Sequence, residues 1–174
     1  MPERVFLIGM MGCGKTTVGA RLSERLAISY LDNDALLAER EGDDLMGLAA
    51  KGAVRLHDAE QALAEDLVRK HPPFIAGIAA SVVEHPDTLD RLRRAGFVTY
   101  LAARPETLLE RVTATDRPWL EEDPLGWIRT TLARREPLFV AGAHLVVETD
   151  TTPPEQIAEE IAAAISARAA ERET

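Results

Sequence analysis

Residues 5–16 read Val5-Phe6-Leu7-Ile8-Gly9-Met10-Met11-Gly12-Cys13-Gly14-Lys15-Thr16. The first four residues are apolar and are typical of a buried strand. The last eight satisfy the pattern G-x-x-x-x-G-K-[ST], and a helix-like stretch runs from residue 16 to 26. A strand, a glycine-rich loop and a helix in this order are the context that the pattern requires. The stretch therefore predicts an α/β fold organised around a phosphate-binding loop.

This loop predicts a site for a nucleoside triphosphate. Its glycines allow successive backbone N–H groups to turn towards an anion, and the following helix adds the positive end of its dipole. Lys15 is then within reach of the β- and γ-phosphates, and the Thr16 hydroxyl can hold Mg²⁺. The alternative is a glycine-rich turn that matches by chance. Because Lys15 is one of only three lysines in the chain, a chance match is rare.

Composition limits the class of protein. The 174 residues, 46% hydrophobic and 28% charged, suit a single domain with one sizeable core. No apolar run approaches the length of a membrane span, and the amino terminus resembles a strand rather than a signal peptide. A net charge of −9 argues against a nucleic-acid surface, although not against a nucleotide. The single cysteine, Cys13, fits a reducing compartment, so we expect a cytoplasmic protein that binds neither nucleic acid nor membranes.

Apolar runs alternate with helical patterns along the rest of the chain. After the first strand, the strand candidates are residues 28–31, 74–78, 97–101 and 144–148. The helix candidates are residues 35–41, 44–51, a long segment around 56–67, 86–95, 105–113, 125–135 and 154–170. Five strands separated by helices indicate a parallel sheet covered by helices on both faces.

Two carboxylates, Asp32 and Asp34, follow the second predicted strand. Ligands of open α/β sheets gather at this end of the strands. Side chains two residues apart diverge, so Asp32 can face the metal and phosphates while Asp34 reaches an acceptor hydroxyl. The alternative role for Asp34 is to cap the helix that begins near Ala35. The nearby phosphate loop favours the functional interpretation.

Two arginines are candidates for nucleotide contacts. Arg117 lies in the polar stretch 113–124, which we expect to form a lid that brings this arginine over the transferred phosphoryl group. Arg111 lies just before this stretch and can stack on an adenine ring. A solvated arginine in a turn is the alternative for each of them.

The four histidines offer little by spacing alone. His57 lies on the long helix of the first half, close to Arg55 and Glu60, where a histidine is usually structural or solvated. The histidines stand apart without partners at ligand spacing, so the sequence predicts no metal site made of histidine.

Several motifs together resemble the shikimate kinase family. The resemblance begins with residues 6–19 and includes Leu31-Asp32-Asn33-Asp34, which matches the D-x-D of the family at the same spacing. Arg117-Pro118 resembles the lid arginine of the family, and Arg135-Glu136-Pro137-Leu138-Phe139 resembles its R-x-P-L-Y segment. Length and strand pattern agree from about residue 4 to residue 165.

The resemblance implies a nucleoside monophosphate kinase-like P-loop fold with three layers, in which helices flank a five-stranded parallel sheet. It also implies transfer of the ATP γ-phosphoryl group to a small hydroxylated metabolite, with Mg²⁺. Thr16 and, indirectly, Asp32 would serve the metal, while Asp34 would orient or deprotonate the acceptor hydroxyl. Lys15, Asp34 and Arg117 are the catalytic candidates. The implied nucleotide contacts are Gly12, Cys13, Gly14, Lys15, Thr16, Thr17, Arg111 and Arg117.

The acceptor site departs from the family pattern. His57 stands where the family has an arginine that grips the shikimate carboxylate, and Gly77-Ile78-Ala79 replaces a run of three glycines. After the segment that resembles R-x-P-L-Y, Val140 stands where the resemblance implies a second carboxylate-binding arginine. The Cβ atoms of Ile78 and Ala79 would crowd the acceptor. These departures predict an acceptor pocket, at about residues 33–60, in which Asp34, His57, Gly77 and Ile78 contact a substrate other than shikimate.

Four functions remain open from the sequence. The first is a kinase for another polyol, cyclitol, amino alcohol or specialised metabolite. The second is a genuine shikimate kinase with a rebuilt substrate site, and the third is a kinase of the gluconate or nucleoside monophosphate type. The fourth is an ATP-binding regulatory domain without phosphotransfer. In each case we expect residues 1–174 to act as one P-loop domain, as a monomer or weak dimer.

Overall fold

Parallel strands form the centre of the computed structural model, which describes residues 4–112 and 122–172. The strands are β1 (Arg4–Ile8), β2 (Tyr30–Leu31), β3 (Phe74–Gly77), β4 (Phe97–Ala102) and β5 (Leu145–Glu148). They form one sheet in the order β2-β3-β1-β4-β5, and every neighbouring pair is parallel. The predicted five-stranded parallel sheet is confirmed.

Helices connect the strands and cover the sheet. They are α1 (Lys15–Leu26), α2 (Asn33–Glu41), α3 (Leu45–Ala50), α4 (Ala53–Arg69), α5 (Pro86–Ala95), α6 (Pro105–Arg111), α7 (Pro124–Gly142) and α8 (Pro154–Arg172). A short 3-10 helix, Ala80–Glu84, follows β3. Helices α1 and α8 pack against each other, while α4, α5 and α7 pack around the 3-10 helix. Within the described ranges, no helix is both long enough and apolar enough to cross a membrane.

The inner strands are apolar at nearly every position because both faces of the sheet are covered. Residues 5–8 of β1 and all of β3 and β4 are buried. A strand that is buried on both faces loses the alternation of apolar and polar residues and becomes a continuous hydrophobic run. This explains why short apolar runs, rather than period-two patterns, predict the strands of this chain.

Helix α7 is longer than the sequence pattern predicts. We expected a helix at residues 125–135, before Pro137, but α7 continues through Pro137 to Gly142. A proline inside a helix removes one backbone hydrogen bond and crowds the preceding turn. Beyond the proline, Phe139 is fully buried, and its ring stacks on Tyr100 with 4.8 Å between the ring centroids. Tertiary packing of this last turn outweighs the local preference for a helix end.

Candidate active site

The carboxyl ends of three strands bring the predicted site residues together. Strand β3 lies between β1 and β2, with Gly77 opposite Leu7 of β1 and Ala76 opposite Leu31 of β2. The phosphate loop follows β1, Asp32 follows β2, and the 3-10 helix follows β3. Parallel strands end at the same edge of a sheet, so these three segments share one cleft. Ligands of open α/β sheets bind at this edge.

The phosphate loop has a backbone that only glycine adopts readily. Gly9, Gly12 and Gly14 have φ values of 143°, 77° and 103°. A Cβ on Gly9 would lie 2.7 Å from the Leu101 carbonyl oxygen, and one on Gly12 would lie 2.8 Å from that of Leu108. At Gly9 and Gly12 the loop is therefore pressed against β4 and α6 with no room for a side chain. Such a close-packed loop, at the start of a helix, fits the phosphates of a nucleotide.

Lys15 begins α1, with its ammonium group inside the loop. Its Nζ donates to the carbonyl oxygens of Gly9, at 2.8 Å, and Met10, at 3.1 Å. The side chain of Cys13 is buried beneath the loop, and its backbone N–H donates to the Met10 carbonyl. The thiol therefore packs in the core and does not face the cleft. The predicted nucleotide residues that line the cleft are Gly12, Gly14, Lys15, Thr16, Thr17 and Arg111.

Thr16 and Asp32 form the predicted metal corner. The Thr16 hydroxyl donates to Oδ2 of Asp32 at 2.8 Å. The other Asp32 oxygen, Oδ1, accepts from the backbone N–H groups of Asp34 and Ala35, at 3.1 and 3.3 Å. Asp32, rather than Asp34, is thus the residue that caps α2, which corrects the alternative role considered for Asp34. Capping leaves Oδ2 directed towards Thr16 at the edge of the phosphate loop.

The residues present fit a magnesium ion that arrives with a nucleotide. The described part of the chain contains no group of three or more histidine, cysteine, aspartate or glutamate side chains arranged to hold a metal. Mg²⁺ needs no such cluster, because it retains several waters and is held by one or two protein ligands together with substrate phosphates. The hydroxyl of Thr16 and the carboxylate of Asp32 supply hard oxygen ligands of the required kind.

Tyr30, the first residue of β2, lines the cleft and was not predicted from the sequence as a site residue. Its ring packs so closely on Gly19 of α1 that a Cβ on Gly19 would overlap it. Its hydroxyl lies 2.7 Å from the position that a Cβ on Gly77 would take, and it hydrogen-bonds to Thr16. Burial raises the pKa of the phenol well above its usual range. A neutral hydroxyl therefore contacts the metal corner at any physiological pH.

Asp34 lines the cleft from the first turn of α2. The residue is exposed, and one of its carboxylate oxygens accepts from Asn33 Nδ2 at 3.2 Å. Its neighbour Asp32 turns towards Thr16, so the two carboxylates diverge as the sequence analysis expected. A carboxylate that borders an open cleft is placed to accept a proton from a bound hydroxyl group.

The far end of the cleft is lined by ionisable groups on α4 and by Ser81. Glu60 is buried and accepts a short hydrogen bond from the Ser81 hydroxyl. Burial raises the pKa of the Glu60 carboxyl, and the bond from Ser81 offsets this only in part. Burial, followed by the charge of Arg135, lowers the pKa of His57. His57 is therefore a neutral hydrogen-bonding group at pH 7.

Arg135, and not Val140, is the buried arginine that α7 contributes to the cleft. Val140 is 51% exposed and does not line the cleft, so the expectation that it faces the acceptor is wrong. The side chain of Arg135 lines the cleft and is only 5% exposed. Helical periodicity explains the difference, because Arg135 shares the buried face of α7 with Ile128, Leu132 and Phe139, and Val140 does not. Arg135 thus supplies a buried guanidinium group at the acceptor end, and the exposed Arg134 lines the cleft beside it.

The turn after β3 also differs from expectation. Gly77 and Ala79 line the cleft, but the side chain of Ile78 is buried in the core. The backbone N–H of Ile78 donates to the Leu7 carbonyl at 2.9 Å, which continues the strand pairing. Alternate residues of an extended chain point to opposite sides, so Ile78 faces away from the acceptor. The predictions that Ile78 contacts the substrate and that its Cβ crowds the acceptor are therefore wrong, and only Ala79 narrows the cleft there.

Arg111 is held at the nucleotide end of the cleft. Its Nη2 donates to the Thr149 carbonyl at 2.7 Å, and its Nη1 donates to the Thr149 hydroxyl at 3.2 Å. The guanidinium plane is thereby fixed beside the segment that joins β5 to α8. Arg117 and the greater part of the predicted lid, residues 113–121, lie outside the described residues. Their proposed roles remain predictions from the sequence.

Comparisons with known proteins agree with this arrangement. The family model for shikimate kinase matches residues 11–166. Shikimate kinase from Hahella chejuensis is 32% identical over 99% of this chain and 90% of its own length. Shikimate kinase from Symbiobacterium thermophilum is 34% identical over 90% of this chain and 92% of its own length.

A solved structure extends the likeness to three dimensions. The structure of shikimate kinase from Acinetobacter baumannii in complex with shikimate superposes with a TM-score of 0.88 and 27% identity. The match covers 95% of this chain and 94% of the other. The match extends through the elements that form the cleft as well as the sheet. The chain belongs to the shikimate kinase family and is an ATP-dependent kinase whose phosphate acceptor is a hydroxyl group.

Proposed function

We propose that this chain transfers the γ-phosphoryl group of ATP to a hydroxyl group of a small metabolite bound between Asp34 and Arg135. The observation that carries the proposal is a single cleft lined by the phosphate loop, by Asp34 and by the buried Arg135. Lys15 exchanges its two carbonyl partners for phosphate oxygens and balances the charge that develops on the transferred group. Asp34 orients the acceptor hydroxyl and accepts its proton.

The nucleotide end is proposed to hold ATP through residues 12–17 and through Arg111, which stacks on the adenine. Thr16 and Asp32 would hold Mg²⁺, which neutralises charge on the β- and γ-phosphates when it is bound. Arg117 would approach the same phosphates from the lid at about residues 113–124. The acceptor region would comprise about residues 33–60, within one P-loop kinase domain.

The acceptor pocket is proposed to be altered relative to the family pattern. A carboxylate at the far end of the cleft would meet one buried arginine, Arg135, beside the exposed Arg134 and the neutral His57. Loss of one charged partner from a desolvated ion pair costs about 2–5 kcal/mol. This cost corresponds to a loss of between one and four powers of ten in affinity. We therefore infer that shikimate is a weakened substrate and that a hydroxylated compound with fewer charged groups is preferred.

A genuine shikimate kinase is the second candidate. The buried guanidinium of Arg135 favours it, because a carboxylate is the group that such a fork binds best. The similarity to the Acinetobacter baumannii structure, which contains shikimate, favours it as well. The choice between the two candidates therefore depends on how much His57 and Ala79 weaken the binding of shikimate.

The test is a coupled ADP-release assay with saturating Mg-ATP and a panel of acceptors. The panel contains shikimate, its uncharged carboxamide, and representative polyols, cyclitols and amino alcohols. We expect a neutral or amine-bearing acceptor to exceed shikimate in kcat/KM. A value for shikimate of about 10⁴ M⁻¹s⁻¹ or more, ordinary for an enzyme on its own substrate, would establish the second candidate instead. Absence of turnover with the whole panel would favour an ATP-binding regulatory domain.

A further inference from the structure

We propose that Glu84 is a positioning residue that holds Arg135 by one edge and presents the rest of its guanidinium group to the acceptor. The inference rests on the acceptor site proposed above. Glu84 is the last residue of the 3-10 helix that follows β3, and it has no counterpart among the motifs that predicted the site. Glu84 is therefore a further residue of the acceptor end, and neither the sequence motifs nor the contacts expected for ATP include it.

The geometry around Glu84 is asymmetric. Its Oε1 accepts from Nε of Arg135 at 3.0 Å and from Nε of Arg134 at 2.9 Å, and it lies 2.7 Å from Nη2 of Arg134. The side chain of Arg134 is 63% exposed, whereas that of Arg135 is 5% exposed. Burial opposes ionisation of Glu84, but the hydrogen bonds and charges of Arg135 and Arg134 together outweigh it and lower the pKa of the carboxyl. Glu84 is thus ionised at pH 7 and binds the two arginines through one oxygen.

The bond through Nε leaves the two terminal nitrogens of Arg135 for a ligand. A guanidinium group carries five N–H donors in a rigid plane, and only one of them is on Nε. Among the described residues, the hydrogen bonds of Arg135 include Nε but neither terminal nitrogen. Because the side chain lines the cleft, the fork formed by these nitrogens is available to an acceptor that binds there. A carboxylate or other planar anion fits such a fork with two parallel hydrogen bonds.

Without Glu84, the guanidinium group would have a competing partner within the cleft. The charge of Arg135 acts on the buried carboxyl of Glu60, which lines the same end of the cleft. His57 is neutral there and gives the arginine no counter-charge. A buried cation without its partner turns to the nearest carboxylate. Removal of Glu84 would therefore draw Arg135 towards Glu60 and away from the acceptor.

Two substitutions separate positioning from charge. Glu84→Gln removes the charge but keeps an oxygen that accepts from Nε of Arg135, whereas Glu84→Ala removes both. Glu106→Ala is the matched control, because Glu106 pairs with another α7 arginine, Arg129, at 2.6 Å, on the exposed surface. The measured quantities are the KM values for shikimate, the probe acceptor, and for Mg-ATP.

We expect Glu84→Ala to raise the KM for shikimate about tenfold or more, because small misplacements of a binding group have effects of this size. The KM for ATP should change less than about twofold, and Glu84→Gln should restore the KM for shikimate to within about threefold of the unaltered protein. Glu106→Ala should change neither constant. An unchanged KM for shikimate in Glu84→Ala would overturn the proposal. Equal increases in both constants would also overturn it, since they would indicate a general loss of structure.

A measurement without turnover separates this inference from the proposed function. In protein labelled with ¹⁵N-arginine, we expect a protected Nε–H resonance from Arg135 that disappears in Glu84→Ala and persists in Glu84→Gln. Arg135→Lys assigns the resonance. If the unaltered protein phosphorylates no acceptor of the panel, the proposed function fails, and this resonance alone decides the role of Glu84. Persistence of the resonance in Glu84→Ala would show that another group holds Arg135.

Discussion

At the scale of single residues, we expect Lys15 to be needed for catalysis but not for folding. The backbone groups that accept hydrogen bonds from its ammonium group are two carbonyl oxygens of its own loop. Lys15→Ala should lower kcat at least about a thousandfold, because charge stabilisation dominates phosphoryl transfer. The melting temperature should stay within about 2 °C, since the partners that the ammonium group loses all belong to its own loop.

The control for this prediction is Lys51→Ala. Lys51 is also a lysine in an ion pair, with Asp43 at 2.7 Å, but it lies on the surface. Its loss should leave turnover unchanged. A folded Lys15→Ala protein with turnover close to that of the unaltered chain would show that the phosphate loop does not perform the chemistry.

The ionisation of a single side chain, that of Glu60, is expected to make the stability of the protein depend on pH. Burial raises the pKa of this carboxyl above its ordinary value of 4.5, so the folded state binds the proton more tightly than the unfolded chain does. The contribution of Glu60 to stability is then full below pH 4.5 and is lost as the pH rises through the folded-state pKa. Glu60→Gln keeps an acceptor for Ser81 and removes the ionisation.

The variant should therefore melt at a higher temperature than the unaltered protein near pH 7, by about 2–4 °C for each kcal/mol of ionisation cost removed. The difference should shrink as the pH falls towards 4.5. Glu65→Gln, on the same helix but with a side chain 29% exposed, is the control. Parallel melting curves of the Glu60→Gln and unaltered proteins across this pH range would contradict the prediction.

At the scale of elements, Tyr30 joins α1 to the sheet. Its ring fills the space above Gly19, so Gly19→Ala should force α1 away from β2 and destabilise the fold by about 1–3 kcal/mol. The measurement is urea-induced unfolding. Gly47→Ala on α3 is the control, because the added Cβ would meet only the side chain of Asp43, which can rotate away. Gly47→Ala should be neutral or stabilise by up to about 1 kcal/mol. Equal stability of the two variants would show that the Tyr30 contact is not a constraint.

Local elements are predictable from this sequence where the signal is contiguous. Helix α5 has the predicted bounds, and β1 and β4 agree to within a residue or two. The end of α7 was not predicted because Pro137 is an unfavourable local signal, and the packing of Phe139 on Tyr100 outweighs it. Helix propensity accounts for the lost backbone hydrogen bond, but it does not include the contact of Phe139 with Tyr100, which lies about forty residues away in the sequence.

The same distinction applies to the site. The phosphate loop and Asp32 directly follow strands, so a short stretch of sequence is enough to predict where they lie in the fold. The acceptor end combines His57, Ser81 and Arg135, which line the cleft from three separate helices, with Glu84, which bonds to Arg135. Periodicity contained part of the missing information, since Arg135 falls on the apolar stripe of α7 with Ile128 and Leu132. No pattern indicated that Glu84 would meet Arg135, because that contact depends on the packing of the 3-10 helix against α7.

At the scale of the whole molecule, the fold places nucleotide binding and acceptor binding at opposite ends of a single cleft. The sheet edge holds the phosphate loop, the metal corner and Tyr30 close to rigid strands. The acceptor end is formed by helices that pack around the 3-10 helix, and its charge is set by the partners of Arg135. A change of acceptor therefore needs substitutions only at the helical end. Such substitutions need not disturb the nucleotide half.

This separation predicts the effect of restoring an arginine at position 57. His57 lines the cleft beside Arg135, so His57→Arg would give a bound carboxylate a second charged partner. Repulsion between the two guanidinium groups opposes the change in the free protein, and the carboxylate relieves it on binding. A charge-assisted hydrogen bond contributes about 1.5–3 kcal/mol, so kcat/KM for shikimate should rise about tenfold or more. The KM for ATP should change little.

Val140→Arg is the matched control for this experiment. It adds the same side chain to the same protein, but Val140 is 51% exposed and lies outside the cleft. Its kcat/KM for shikimate should equal that of the unaltered protein. If Val140→Arg raised kcat/KM for shikimate and His57→Arg did not, shikimate would bind against the outer face of α7. The assignment of the cleft as the acceptor site would then be wrong. If neither substitution raised it, the cost of the altered pocket would lie at Ala79, where a Cβ takes space that a glycine leaves to the acceptor.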